Sequence, residues 1–311
     1  MSNVAKISDS FDVAKRREIP AVLAAREGQQ SSNGPYNGCI STMIAAAVEQ
    51  NLTKKHCLSR LIIEYYSRSH YILRDLKQGK GLLMIFHTMV AGWMGFPYLS
   101  ICTGLSYSYA IGYKLKDRTG ECWTERFIRF KDKDNKAEWG GATVFYKAVP
   151  ALIKQLGVDP KRSVFIPALS SGETTADPNR AVPWIAKECA RICGARYTDT
   201  ALSKQVHQKI HTIYSGEGRS AELDKANYQS AKIDADHVFV FDDIITRGDT
   251  LSRIAQAVLA TNPDCKVYGV AFAKAESVAY CPNPDNDQVP AQWDDLWKQG
   301  EQEHDAKFKK G

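Results

Sequence analysis

The stretch VFVFDDIITRGDTL, residues 238–251, constrains the fold of this 311-residue chain more than any other. Val238, Phe239, Val240 and Phe241 are β-branched or aromatic, the pattern of a strand buried on both faces of a parallel sheet. Asp242 and Asp243 follow at once, then the short polar run Thr246, Arg247, Gly248, Asp249 and Thr250. Beyond it Leu251, Ile254, Ala255, Val258 and Leu259 fall on one face of a predicted helix. Open α/β sheets bind ligands at the carboxyl ends of their strands. A Gly-containing loop that opens a helix directs backbone N–H groups and a positive dipole end at an anion. Two carboxylates accept hydrogen bonds from neighbouring sugar hydroxyls. The pieces together describe a holder for a ribose 5-phosphate.

This order resembles the signature of the type I phosphoribosyltransferases: hydrophobic strand, two acids, two hydrophobic residues, T-x-G-x-T. The resemblance implies binding of 5-phosphoribosyl-1-diphosphate (PRPP). Two bland alternatives stand beside it. One is a chance strand–turn–helix that binds nothing. The other is a fold kept by a regulator that only senses nucleotides.

Composition permits one large domain or two. The chain is 44% hydrophobic and 24% charged, ordinary for a soluble globular protein. Its eight cysteines form no C-x-x-C framework. Cys189 and Cys193 would share a helix face, where core packing is the expected role. Unpaired cysteines suit a reducing cytoplasm, and the start has no apolar core of a signal peptide. The net charge is +6, and residues 1–80 hold 12 Lys/Arg against 7 Asp/Glu. That surplus suits a protein or nucleic-acid partner, or simply a solvated basic face.

Taken in order, residues 1–38 read as an arm and loop with a short helix near 12–26, followed by helices at about 40–51 and 55–78. Residues 81–113 carry no charge. Membrane insertion is weighed there and set aside, because Gly92, Gly95 and Pro97 break the run. A buried helix followed by strands is expected, with Tyr107, Tyr109, Ile111 and Tyr113 in strand alternation. ECWTERFIRF (121–130) reads as the returning strand, and 132–139 as a loop. A helix is expected from about 141, kinked by Pro150 and stopped by Gly157. SVFIPAL (163–169) is a strand, SSGETTADPNR a polar loop opening a helix, and YTDTALS (197–203) another strand. Residues 204–219 read as a mobile basic loop, 219–229 as a short helix, and 265–274 as a buried strand. The tail is expected to end in a short amphipathic helix using Trp293, Leu296 and Trp297. The fold class is therefore α/β: a parallel-sheet, type I phosphoribosyltransferase-like core (121–277) with helices on both faces. A mainly helical N-terminal extension (1–120), ending in a hairpin, precedes it, and a tail (278–311) follows.

The second half is most similar to the ComF-like branch of the family, through IPALSSG (166–172), Leu202-Ser203-Lys204-Gln205 and Asn227. The resemblance implies that Ser170, Ser171 and Gly172 form the diphosphate loop and that Lys204 contacts the diphosphate. It implies that Asp242 and Asp243 bind the ribose hydroxyls, and that Thr246, Arg247, Gly248, Asp249 and Thr250 cradle the 5-phosphate. Mg²⁺ would arrive on the PRPP oxygens, with Asp242 and Asp243 as the nearest protein carboxylates. Loop residues His207, Lys209 and His211 are candidates for touching the diphosphate. Trp123, Tyr146, Trp184 and Trp293 are candidates for stacking a base, with core packing the default for each. Arg247 stands where the family has an uncharged residue, Asp224 where it has a basic one, and the branch's zinc cysteine cluster is absent. The expected activity is phosphoribosyl transfer to a nitrogenous acceptor, in the cytoplasm, by a homodimer or a member of a complex. The alternatives are a defence or toxin effector acting on nucleotides, NAD or nucleic acid, and a non-catalytic sensor.

Overall fold

The computed structural model describes residues 87–100, 103–209, 212–213, 216–278 and 286–308. The expected N-terminal arm, the helices at 12–26, 40–51 and 55–78, and His211 lie outside them.

The fold is mixed α/β, built on one seven-stranded, mostly parallel sheet. In chain order the elements begin with β1 (Thr88–Val90), β2 (Trp93–Gly95) and β3 (Leu105–Leu115). Helices α1 (Cys122–Lys131) and α2 (Asn135–Leu156) lead to β4 (Ser163–Pro167), α3 (Ala181–Cys193) and β5 (Arg196–Tyr197). A separate ribbon of β6 (Leu202–Ser203) and β7 (Gln229–Ser230) brackets α4 (Gly216–Ala226). Then come β8 (His237–Ile245), α5 (Asp249–Thr261), β9 (Lys266–Glu276) and α6 (Ala291–Phe308). The sheet order is β1-β2-β3-β9-β8-β4-β5. From β3 to β5 every pair is parallel, whereas the β1–β2 and β2–β3 pairs are antiparallel, so β2 runs against the other strands. The sheet thus takes in Thr88–Leu115, residues that the sequence reading grouped with the extension.

Four local expectations are corrected. Residues 121–130 form α1, not a strand, because the Glu121 carboxylate accepts from the N–H groups of Trp123 and Thr124 and caps a helix. Trp123, Phe127 and Phe130 then fall at i, i+4 and i+7 and are buried together. The loop expected at 132–139 gives way to α2 at Asn135, because Asp134 caps the N–H groups of Lys136 and Ala137. Where a buried helix was expected, residues 88–95 make a hairpin whose turn, Ala91-Gly92, has φ of 50° and 81°. Two positive φ values match the right-handed twist of paired strands. Lastly, YTDTALS is not one strand. The N–H of Thr198 reaches the Phe165 carbonyl at 3.1 Å, and the chain turns before resuming as β6. The short helix expected at 219–229 is α4, displaced to 216–226.

Helices cover both faces. Phe272 and Gly269 on β9 are three residues apart and so face opposite sides. Phe145 of α2 stacks on Phe272 at 3.7 Å. On the other side Leu251 of α5 occupies the space a side chain on Gly269 would fill. Burying one such Phe contributes about 1.5–3 kcal/mol. Among the described residues no helix is long and apolar enough to cross a membrane.

The tail helix is longer than expected and belongs to the core. Trp293 and Trp297 are buried, and Trp297 meets Trp123 and Phe127 edge to face at 5.8 and 6.1 Å. Just before it, the Asn286 side chain accepts from the Tyr113 N–H at 2.6 Å and donates to its carbonyl at 2.9 Å. This satisfies β3 where β2 is too short to pair with it. Gly140 admits the Trp297 ring, since a Cβ there would lie 2.6 Å from Trp297 Nε1. Gly140→Ala improves helix propensity by about 1 kcal/mol but overpacks a rigid ring. A net loss of about 1–2 kcal/mol is expected. Urea denaturation should show it as a lower midpoint at unchanged slope.

Candidate functional site

β4 and β8 are parallel neighbours, with Pro167 opposite Phe241. The loops that follow them therefore leave from the same end of the sheet. The chain continues from β4 through α3 to β5 on one side, and from β8 through α5 to β9 on the other. This is a topological switch point, where open α/β sheets form their ligand crevice.

β8 runs on through Asp242 and Asp243 to Ile245. Both acids are half-buried, and as consecutive strand residues they diverge to opposite faces. Asp243 lies on the α1 side, its Oδ2 3.8 Å from Lys131 Nζ. Lys114, at the end of β3, is close by. Burial, then the Lys131 charge, holds its pKa below the usual lysine value. Asp242 is raised to about 7, first by burial and then by the Asp243 charge. Each carboxylate also accepts the next backbone N–H: Asp243 N–H on Asp242 Oδ1 at 2.8 Å, and Ile244 N–H on Asp243 Oδ1 at 2.6 Å.

After β8, Thr246, Arg247 and Asp249 are exposed, and Thr250 is half-buried. Gly248 takes a left-handed conformation, φ 82°, as the N-cap of α5. Among the described residues no side chain caps this helix, and its first internal bond is Ser252 N–H to Gly248 O at 2.8 Å. Helix geometry leaves the preceding N–H groups without internal acceptors, so the loop is receptive to an anion. Among the described residues, Arg247 forms no ion pair.

After β4, the Ala168 N–H donates to the Phe241 carbonyl at 2.7 Å and ties the second loop to β8. Nothing lies within 4 Å of where a Cβ on Gly172 would stand. The Ser170 N–H donates to Glu173 Oε2 at 2.5 Å, and the Asp177 N–H to Glu173 Oε1 at 3.3 Å. Arg180 pairs with the same Glu173 carboxylate. Lys204 is only 5% exposed. Its ammonium donates to the Ser171 and Gln205 carbonyls at 3.0 and 3.3 Å. Among the described residues no carboxylate lies within ion-pair distance of it. Burial lowers its pKa to about 8, against a smaller opposing effect of Glu173. The His207 N–H donates to the Ser171 carbonyl at 3.1 Å, so the start of the basic loop is docked on the second loop. Burial lowers the His207 pKa as well. Lys209 is exposed.

No protein-family model and no curated protein matches this chain. The site therefore has to be read from its own atoms.

The structure brings Ser170, Ser171, Gly172, Lys204 and His207 into one cluster, and sets Asp242 and Thr246–Thr250 on the neighbouring strand and helix. Sequence reasoning missed three members. Glu173 and Arg180 were signalled only as charges within an otherwise small-residue loop. Tyr228, next to Asn227, joins the two halves. Its ring lies 5.9 Å from the Lys204 ammonium. Its pKa is raised by burial, then by the charges of Asp242 and Glu173. Among the described residues its buried hydroxyl has no hydrogen-bond partner. Among the described residues, no group of three or more His, Cys, Asp or Glu could hold a metal ion. Of the four aromatic residues weighed for base stacking, Trp123 and Trp293 are core residues. Tyr146 and Trp184 line a cleft of about 440 Å³ over α2 and α3, with Trp139 and Lys147.

Proposed function

We propose that this chain binds PRPP with Mg²⁺ on a type I phosphoribosyltransferase-like core and transfers the phosphoribosyl group to a nitrogen nucleophile. The C1–oxygen bond to diphosphate breaks, a C1–nitrogen bond forms, and the nucleophile's proton passes to solvent. One observation carries the reading. An acid pair in the last part of β8 and an uncapped, glycine-opened helix after it lie at the same end of the sheet as a small-residue loop, on which a buried ammonium docks with no carboxylate partner among the described residues.

In this reading the 5-phosphate takes the free N–H groups of α5, with Thr246 and Thr250 as hydroxyl donors. Asp242 and Asp243 accept from the ribose hydroxyls. Lys204 and the N–H groups of residues 170–172 hold the diphosphate. Positioning and electrostatics do the work, since little covalent chemistry is asked of the protein. Two divergent carboxylates make too small a donor set to retain Mg²⁺ alone. The fit is to an ion that would arrive with the ligand, with Asp242 and Asp243 as the nearest carboxylates, and would supply neutralisation of leaving-group charge. A non-catalytic sensor is the second reading, favoured by one feature: the acidic Glu173 inside the diphosphate loop.

Calorimetric titration of PRPP into the full chain, with and without Mg²⁺, tests the proposal. Micromolar, metal-dependent binding supports it, and the absence of heat in a folded sample rejects it. Release of diphosphate in the presence of nitrogenous acceptors separates enzyme from sensor. The pH profile adds a second check. Asp242 must lose its proton to accept from ribose, so affinity falls below its pKa of about 7. Lys204 must keep its proton to hold diphosphate, so affinity falls above about 8. Binding is expected to peak between these values, and Asp242→Asn should remove the acid limb.

A further inference from the structure

We propose that the Glu173 carboxylate occupies the diphosphate position of the β4 loop, and that Arg180 is a diphosphate-binding residue which the ligand takes over by displacing it. The inference rests on the reading above and adds two residues to it.

Three donors converge on Glu173: the Ser170 N–H, the Asp177 N–H and the Arg180 guanidinium. Backbone N–H groups of a loop that opens a helix, joined by a guanidinium, are the donor set that takes a phosphoryl oxygen. A carboxylate is the nearest internal equivalent of that anion. The Glu173 side chain is 13% exposed and that of Arg180 is 23%, so the pair is sheltered but not sealed. A second observation is independent of the first. The Lys204 ammonium is buried beside this loop, with the carbonyls of Ser171 and Gln205 as its acceptors. A buried ammonium without a carboxylate is a position that an anion completes. Open space at Gly172 lies within the same loop. A diphosphate entering there would exchange its oxygens for those of Glu173 on Ser170 and Arg180, and would supply the counter-charge Lys204 lacks. Glu173 then turns outward, and the site holds itself together without a ligand. This makes Glu173 a selectivity element. A singly charged carboxylate metabolite gains nothing over the internal one, whereas a diphosphate, with more charge and more oxygens, does.

The test uses the full chain and inorganic pyrophosphate as the probe. Glu173→Gln keeps the shape and removes the competing charge, and is expected to tighten pyrophosphate binding by about tenfold. Arg180→Gln is expected to weaken it by a similar factor, and the double variant to bind less tightly than Glu173→Gln alone. Thermal melting of each variant verifies folding, and Glu173→Ala serves if the Gln variant is unstable. Equal pyrophosphate affinity in wild type and folded Glu173→Gln overturns the inference, as does unchanged affinity in Arg180→Gln. Ribose 5-phosphate, titrated in parallel, should bind all variants alike. If it binds none of them while pyrophosphate responds as expected, the phosphoribosyl reading fails and the diphosphate site stands.

Discussion

An Asp242→Asn, Asp243→Asn double variant is expected to lose PRPP binding by two to four orders of magnitude and to remain folded. Each carboxylate would accept a hydrogen bond from a ribose hydroxyl, and charge-assisted bonds of this kind contribute about 1.5–3 kcal/mol each. Two of them correspond to roughly 10²–10⁴ in affinity. The fold should survive, because an Asn side-chain oxygen still accepts the following backbone N–H, as Asp242 and Asp243 do at 2.8 and 2.6 Å. At alkaline pH the variant should be slightly more stable than wild type. Burial and the Asp243 charge lift the Asp242 pKa to about 7, above its unfolded value. Ionised Asp242 therefore destabilises the native state. The stability present below the unfolded pKa is lost as pH rises through 7. Half-buried as Asp242 is, Asn should recover on the order of 1 kcal/mol at pH 8. The two acids face opposite sides of β8, so the single variants should differ, with Asp242→Asn the more damaging because the charges of Asp242 and of Glu173 in the loop after β4 both act on Tyr228. Wild-type affinity in a folded double variant would remove the acid pair from the site.

Trp297→Ala is expected to be the most destabilising of the tail substitutions, at about 3–5 kcal/mol. The ring is fully buried between Trp123, Phe127 and Gly140, so its removal leaves a cavity. For a structured region of this size the loss corresponds to a fall in Tm of roughly 10 °C. Near-ultraviolet circular dichroism should lose the tryptophan signal before far-ultraviolet helicity falls. A melting temperature within a degree or two of wild type would mean that α6 docks on the core far more loosely than its buried rings imply.

The strands and helices around the site were legible, because their patterns are local. Val238–Phe241 reads as a buried strand and is one, and Leu251, Ile254, Ala255 and Val258 form the buried stripe of α5. The errors arose where a distant or single-residue cause decided the outcome. The ECWTERFIRF segment has apolar residues compatible with both periods, and one capping carboxylate, Glu121, settles it as a helix. The hairpin at 88–95 turns on Ala91-Gly92 rather than Asn-Gly. Its glycine packs against Trp293 from the far end of the chain, where the Trp293 indole N–H reaches the Gly92 carbonyl at 3.1 Å. Within the site, the acidic motif named Asp242 and the family resemblance named Lys204 as candidates. Neither revealed that Glu173 fills the loop after β4, because a carboxylate in such a run reads as solvated until the Ser170 and Asp177 N–H groups and the Arg180 guanidinium converge on it.

The pairing of β3 with β9 has a consequence for how the protein is made. Leu105–Leu115 finds its parallel partner only in Lys266–Glu276, and Asn286 then completes it at Tyr113. During synthesis β3 emerges long before β9 exists, and its β9-facing edge has to wait through the whole of the intervening chain. Such distant parallel pairings close slowly and leave strand edges exposed in the meantime. A chain halted before Lys266 therefore holds β3 paired with β2 on one edge and open on the other, with the β8 edge unfilled as well.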